Sequence, residues 1–271
     1  MISIRPDIRS YSRISYLREI HGDLPGAIEA MDLAVEAGYP GFEETAWAGL
    51  ILGELYEKSG DLTQAEIQFQ KVLATRPNYP FALAALSRIH LKQDRKDQAV
   101  AELKQAMEII PEVSFFIDMA HILKEEGKEQ EVKQLVDEFL AMLADDVANG
   151  HNMDLEYARL HMELLDQPED ALQYAQTAYD DRPYNIDVNQ IMGAIYLYMD
   201  DYRTAQPYID VAARTGKIDA ELESMKGILK LMENEGKGLG LLKNSYEANP
   251  YQKHIFVNQA QNLLRQDLAW N

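Results

Sequence analysis

The sequence contains no cysteine in 271 residues, which removes thiol nucleophiles, disulfides and thiolate metal ligands from consideration. It has no apolar run near the ~18–20 residues that a membrane-crossing helix needs. The longest candidate, Ala46 to Leu55, is short and interrupted by Gly49, Gly53 and Glu54. Basic residues are scarce, with 26 Lys and Arg against 45 Asp and Glu and a formal net charge of −19. The deficit is even, 15 to 26 in residues 1–150 and 11 to 19 in 151–271. Neither half therefore carries the basic footprint that nucleic acid or an anionic membrane surface would require. Acidity favours solubility and leaves basic partners open. The opening Met1-Ile2-Ser3-Ile4-Arg5-Pro6-Asp7 lacks the basic start and apolar core of a signal peptide.

Catalytic and metal-binding patterns are equally sparse. The histidines are His21, His90, His121, His151, His161 and His254, and no two lie four apart around a glutamate as in a zinc protease helix. His151 and His161 could approach through Glu156, but surface or structural roles suit them better. His21, beside Gly22-Asp23, suits a turn, and His90 falls where a packing residue is needed. The pairs Asp145-Asp146, Asp180-Asp181 and Asp200-Asp201 fall at helix ends or turns, where Asp bonds locally to backbone. None fits a calcium loop. Gly236-Lys237-Gly238-Leu239-Gly240 lacks phosphate-loop spacing, and no Gly-x-Ser-x-Gly elbow occurs. We expect no cofactor, no metal and no enzyme activity in this chain.

What is present is a repeat. Leu52-Gly53-x-x-Tyr56, Gly60-Asp61, Ala65-x-x-x-Phe69, Val72 and Pro77 follow one another in an order that resembles the tetratricopeptide repeat (TPR), two antiparallel helices per unit. Leu52 and Tyr56 share a helical face, while Gly53 admits a close neighbour. Gly60-Asp61 breaks the first helix, and Pro77 closes the unit. Thirty-four residues on, the order returns as Leu86-Ser87, His90, Asp94, Ala99, Leu103, Ala106 and Pro111. Looser copies run through Met119-Ala120 to Phe139, Ala158 to Pro183, Met192-Gly193 to Ala212, and Met225 to Pro250, with a first copy from Ile14-Ser15 to Ala34. A connection from Ala144 to Met153 separates the fourth and fifth.

The expected fold is an all-α TPR solenoid, a right-handed superhelix of about seven helix pairs with a C-terminal capping helix. We assign one domain over 1–271, with repeats at about 8–41, 46–79, 80–112, 113–147, 152–185, 186–218 and 219–251 and the cap helix at 252–271. Ile4-Arg5-Pro6-Asp7 reads as the end of an earlier repeat, which would make the chain the C-terminal part of a longer array. The alternative, a native Met1 with an exposed first helix, stays open.

The run Ser10-Tyr11-Ser12-Arg13-Ile14-Ser15-Tyr16-Leu17-Arg18-Glu19-Ile20-His21-Gly22-Asp23, continuing into Gly26-Ala27-Ile28-Glu29-Ala30-Met31, is similar to a group of bacterial TPR proteins. Asn152-Met153-Asp154-Leu155-Glu156, Ala178-Tyr179-x-x-Arg182-Pro183 and Thr215-Gly216-x-x-Asp219-Ala220 resemble the same group. The resemblance implies a bacterial source and a periplasmic or lipoprotein location, with cytoplasmic as the alternative, and brings no catalytic residues.

In such a solenoid the first helix of each pair lines an extended groove. The in-phase positions include Arg13, Tyr16, Trp47, Leu50, Glu54, Phe81, Arg88, His121, Tyr157 and Tyr198, which are the expected partner contacts. Trp47, Leu50 and Phe81 give it an apolar stretch. The positions that clamp a terminal carboxylate in chaperone-binding TPRs read Ser12, Tyr16, Leu50, Glu54, Ala84 and Arg88, so that two-carboxylate clamp is absent. Two functions remain: a scaffold for a protein or peptide partner, or a structural module of a larger secreted or lipid-anchored protein that stacks or self-associates through its uncapped N-terminal end. The same phase places Ala99 at a tight helix crossing, so Ala99→Leu should overpack and cost roughly 1–3 kcal/mol, read by thermal or urea denaturation.

Overall fold

The computed structural model describes residues 7–233, 238–248 and 255–270. Among them there are fifteen helices and no strand. None of these helices is long and apolar enough to cross a membrane. Ile4, Pro6, Gly236, Lys237, Pro250, Gln252 and His254, each used in the sequence reading, lie outside the described residues.

The chain divides into two compact units. The first holds three helix pairs: α1 (Ile8–Ile20) with α2 (Leu24–Glu36), α3 (Glu43–Lys58) with α4 (Leu62–Thr75), and α5 (Pro80–Lys92) with α6 (Lys96–Ile109). Residues 215–219 belong to it as well. The second unit holds α7 (Val113–Glu125) with α8 (Glu129–Ala148), then α9 (Asp154–Arg159) with α10 (Pro168–Asp181). It continues with α11 (Ile186–Tyr198) and α12 (Tyr202–Ala212), α13 (Ala220–Met232) and α14 (Gly238–Ala248), and the final α15 (Ile255–Trp270).

Three devices recur among the helix pairs. The first is a left-handed residue in the hairpin: Gly22, Gly60, Gly127, Asp94, Asp166 and Asp200 all have φ between 57° and 80°. Gly adopts this conformation freely, and Asp is one of the few others that tolerates it. It lets the next N–H reach back to a carbonyl five residues earlier, as Asp61 to Tyr56 (3.0 Å) and Arg95 to His90 (2.8 Å). The second is an Asp at the following N-cap: Asp23, Asp61 and Asp201 accept from the backbone N–H of Gly26, Gln64 and Thr204.

The third device is a small residue where the helices of a pair cross. An ideal Cβ at Gly53 would sit 2.3 Å from the ring of Phe69, one at Gly193 2.6 Å from Ile209, and one at Gly227 2.3 Å from Leu242. In other copies the corresponding residue is Ser15, Ser87 or Ala120, each 1% exposed. The second helices answer with buried alanines, among them Ala65, Ala99, Ala171 and Ala205, all fully enclosed. Phe69, Leu103 and Ile209 are likewise inaccessible to solvent.

The structure departs from the sequence reading in the middle of the chain. Residues 144–148, expected in a connection, are the last turn of α8, whose Leu143 is fully buried. The break comes at Asn149-Gly150, where Gly150 takes φ 89°. In the fifth pair, α9 continues as one π-helical turn, Leu160–Leu164. The π turn absorbs one extra residue: Gln167 N–H reaches back six residues to His161 O (2.8 Å), where other hairpins reach back five.

His90 is 5% exposed, as a packing residue should be. Its Nδ1 lies 2.8 Å from Glu102 Oε2 and its Nε2 3.5 Å from Glu66 Oε1. A buried imidazole is thus flanked by two carboxylates, and Arg95 holds Glu66 at 2.6 Å.

Gly53→Ala tests the crossing. Phe69 is enclosed on all sides and has nowhere to retreat, so overpacking should exceed the gain of about 1 kcal/mol in helix propensity. A net loss of about 1–2 kcal/mol in urea denaturation is expected.

Candidate partner-binding groove

In the first unit α1, α3 and α5 lie side by side as the first helices of successive pairs. Between α1 and α3 an open cleft of about 520 Å³ forms. Its α1 wall is Ile8, Arg9, Ser12, Arg13 and Tyr16. The spacing of three, four and seven puts Ser12, Arg13 and Tyr16 on the face of Arg9. Its α3 wall is Glu43, Glu44 and Trp47, again one turn apart. Two aromatic side chains stay accessible here, Tyr16 at 60% and Trp47 at 44% exposure. Ser12 is buried, and its hydroxyl donates to Ile8 O at 2.7 Å.

The charges of the cleft are mostly matched. Arg9 Nη2 donates to Glu44 Oε1 at 2.6 Å. Arg76 Nη2 lies 2.7 Å from Glu43 Oε2, and the Tyr79 hydroxyl donates to Glu43 Oε1 at 3.1 Å. Burial, together with the Glu43 carboxylate, pushes the Tyr79 phenol up to about 12. Arg76 also lies over the Tyr79 ring, 5.5 Å from its centroid. Arg13 is exposed and makes no ion pair among the described residues.

Between α3 and α5 lies a charge network. Glu57 is 8% exposed, accepts from Lys92 Nζ at 2.7 Å and from Arg88 Nη2 at 3.2 Å. Arg88 also reaches Glu54 at 3.5 Å. Burial alone would raise the Glu57 carboxyl, but Arg88 and Lys92 outweigh it and hold it at about 2. Glu54 goes the other way: burial raises it, and Arg88 only partly offsets this. The partnership of Glu57 with Lys92 is not among the expectations drawn from the sequence. The signal was there, two acids three apart on α3 facing two bases four apart on α5.

Of the ten expected contacts, Arg13, Tyr16 and Trp47 are brought together at the cleft. Phe81 is accessible on α5, 39% exposed, with its ring edge-on to Tyr79 at 6.0 Å. Leu50 is a correction: it is 6% exposed in the core with Ala46, Phe69 and Leu86. It lies four residues beyond Ala46, on the buried side of α3. Glu54 and Arg88 are taken up in the network.

His121, Tyr157 and Tyr198 belong to the second unit and each has an internal neighbour. His121 Nε2 is 3.4 Å from Glu163 Oε2, beside Lys124, whose Nζ donates to the carbonyls of Glu163 (3.2 Å) and Leu164 (2.9 Å) at the end of the π turn. Tyr157 stacks on Tyr174 at 4.7 Å, and His161 stacks on the same ring at 5.3 Å. Tyr198 donates its hydroxyl to Asp166, whose carboxylate raises the phenol. Among the described residues, no three His, Asp or Glu are grouped so as to hold a metal ion.

Residues 58–114 match the family model described as "Tetratricopeptide repeat". That stretch carries tetratricopeptide repeat sequence. Solved structures share its fold at low identity. A tetratricopeptide repeat protein from Parabacteroides merdae ATCC 43184 is similar at 16% identity and a TM-score of 0.53, over 95% of this chain and 97% of that one. Yeast Tom70 is similar at 14% identity and 0.54, over 97% of this chain and 54% of Tom70. A chain of the APC/C hetero-tetramer Cut9-Hcn1 follows at 15% and 0.50, over 90% and 48%. No curated protein matches the sequence.

Glu57→Gln should lower stability of the repeats by about 1–3 kcal/mol at pH 7, the scale of lost hydrogen bonds to charged groups. The sign with pH follows from its lowered pKa. The stabilisation is complete above the ordinary 4.5 and is lost as pH falls towards about 2. The urea-denaturation gap between parent and variant should therefore be full at pH 6 and narrow progressively from 4.5 down to about 2.

Proposed function

We propose that this chain is a non-enzymatic scaffold that holds a segment of a partner protein in the cleft between α1 and α3. The observation that carries the reading is the pairing of accessible Tyr16 and Trp47 across a cleft of about 520 Å³. Neither ring is needed to close a helix pair, a task done by Gly53, Phe69 and their counterparts. Flat aromatic side chains anchor interfaces well, because they bury much area with little rotamer entropy lost. The fold supports it too: a neighbour of this fold, Cut9-Hcn1, is a protein hetero-tetramer. Phe81 adds an accessible ring on α5 of the same unit, and His121, Tyr157 and Tyr198 are further candidate contacts on first helices of the second unit.

A photocrosslinking residue at Tyr16 should capture discrete partner proteins in source cells, and Trp47→Ala should abolish those adducts. The same crosslinker at Lys71, exposed on the outward helix α4, is the control. Equal capture from Lys71 would defeat the proposal. Trp47→Ala itself should cost about 2 kcal/mol or less, against about 3–5 for a fully buried indole.

A further inference from the structure

Resting on that reading, we infer that the cleft selects an internal acidic side chain of its partner, bound by Arg13, with a neighbouring large apolar side chain seated between Tyr16 and Trp47.

The argument is a charge inventory. Two carboxylates and two arginines line the cleft. Glu44 is held by Arg9, and Glu43 by Arg76 from outside the lining. That leaves the Arg13 guanidinium as the cleft's unpaired charge among the described residues. It is the cleft position, beside Tyr16 and Trp47, that makes this free guanidinium a ligand group. Guanidinium offers a planar fork of donors that fits one carboxylate bidentately. A segment seated over Tyr16 and Trp47 shields that bond from water, which strengthens it relative to a bare surface pair.

The surroundings limit the ligand to one negative charge at this point. Net charge −19 repels a polyacidic segment at long range, while a single acid in an uncharged or basic segment is accepted. The next groove-facing acids, Glu54 and Glu57, already use Arg88 and Lys92 and leave no second cation for a doubly charged C-terminal residue. The requirement is thus distinct from a two-carboxylate clamp. Arg13 and Tyr16 lie one helical turn apart, about 5–6 Å between Cβ atoms. An extended segment spans that with side chains two positions apart, and a helical one with side chains three or four apart.

The experiment is selection from a library of displayed seven-residue peptides, flanked on both sides by Gly-Ser linkers, against the whole chain. Selected peptides are then made acetylated and amidated, and binding is followed by fluorescence anisotropy. Expected are peptides with one Asp or Glu at the stated spacing from a large apolar residue. Arg13→Gln should weaken them about tenfold or more and erase their preference for Glu over Gln, with partial recovery in Arg13→Lys. Tyr16→Ala with Trp47→Ala should erase the apolar preference. Binding that needs Trp47 but ignores both Arg13 and the peptide acid overturns the inference and leaves the scaffold reading standing. Better binding by peptides that end in a free carboxylate also overturns it. A library that yields no binder overturns the inference and the cleft reading together.

Discussion

Everything in this fold depends on how closely two helices of a pair can cross. At Gly53 the backbone of α3 comes so near the Phe69 ring that a single methyl group would collide with it. Gly193 against Ile209 and Gly227 against Leu242 repeat the constraint in the second unit. Close crossing lets a short pair, 13 or 14 residues per helix in α5 and α6, bury its apolar stripe without a deep core. Serine fills the same role at Ser15 and Ser87, although of the two only the Ser15 hydroxyl finds a hydrogen-bond partner among the described residues. Ser15 donates to Ala27 O across the pair at 2.7 Å. Ser224 and Ser245 share Ala220 O in the last pair, each at 2.7 Å.

That constraint made the pairs readable in the sequence. A small residue beside a large apolar one, an Asp or Gly at the hairpin, then a buried alanine, recur near a period of 34 residues, and each is there for a backbone reason. The groove was less legible. The first helix of an inner pair packs on more than one side, so α3 buries Ala46, Ala48, Gly49, Leu50, Leu52 and Leu55 around much of its circumference. With so wide a buried stripe, Leu50 looked as available as Trp47, three residues away. The end of α8 was missed for a related reason: its last turn follows the final core contact at Leu143 and carries no apolar signal of its own.

Side-chain partnerships were the least legible layer. Glu57 with Lys92, Arg88 with Glu54, and His90 with Glu102 join residues of different helices, and only packing brings their ends together. Composition even argued against them, since an excess of 19 negative charges suggests carboxylates facing solvent. Yet two of its bases, Arg88 and Lys92, are turned inward. Lys92 and Arg88 neutralise a buried glutamate, Arg95 holds Glu66, and Arg76 holds Glu43. A buried carboxylate without such partners would cost several kcal/mol.

Within the cleft this allocation leaves one arginine free. Arg9, four residues before Arg13 on α1, has a carboxylate, and Arg13 has none among the described residues. Two arginines at that spacing repel each other along the helix, so leaving Arg13 without a carboxylate has a small standing cost. A ligand that brings the missing carboxylate removes that repulsion and the exposure of the Tyr16 and Trp47 rings in one step. The helix pairs depend little on Arg13, Tyr16 or Trp47, because none of the three sits at a crossing. What holds the repeats together and what the cleft presents are therefore set by different residues of the same helices, three or four positions apart.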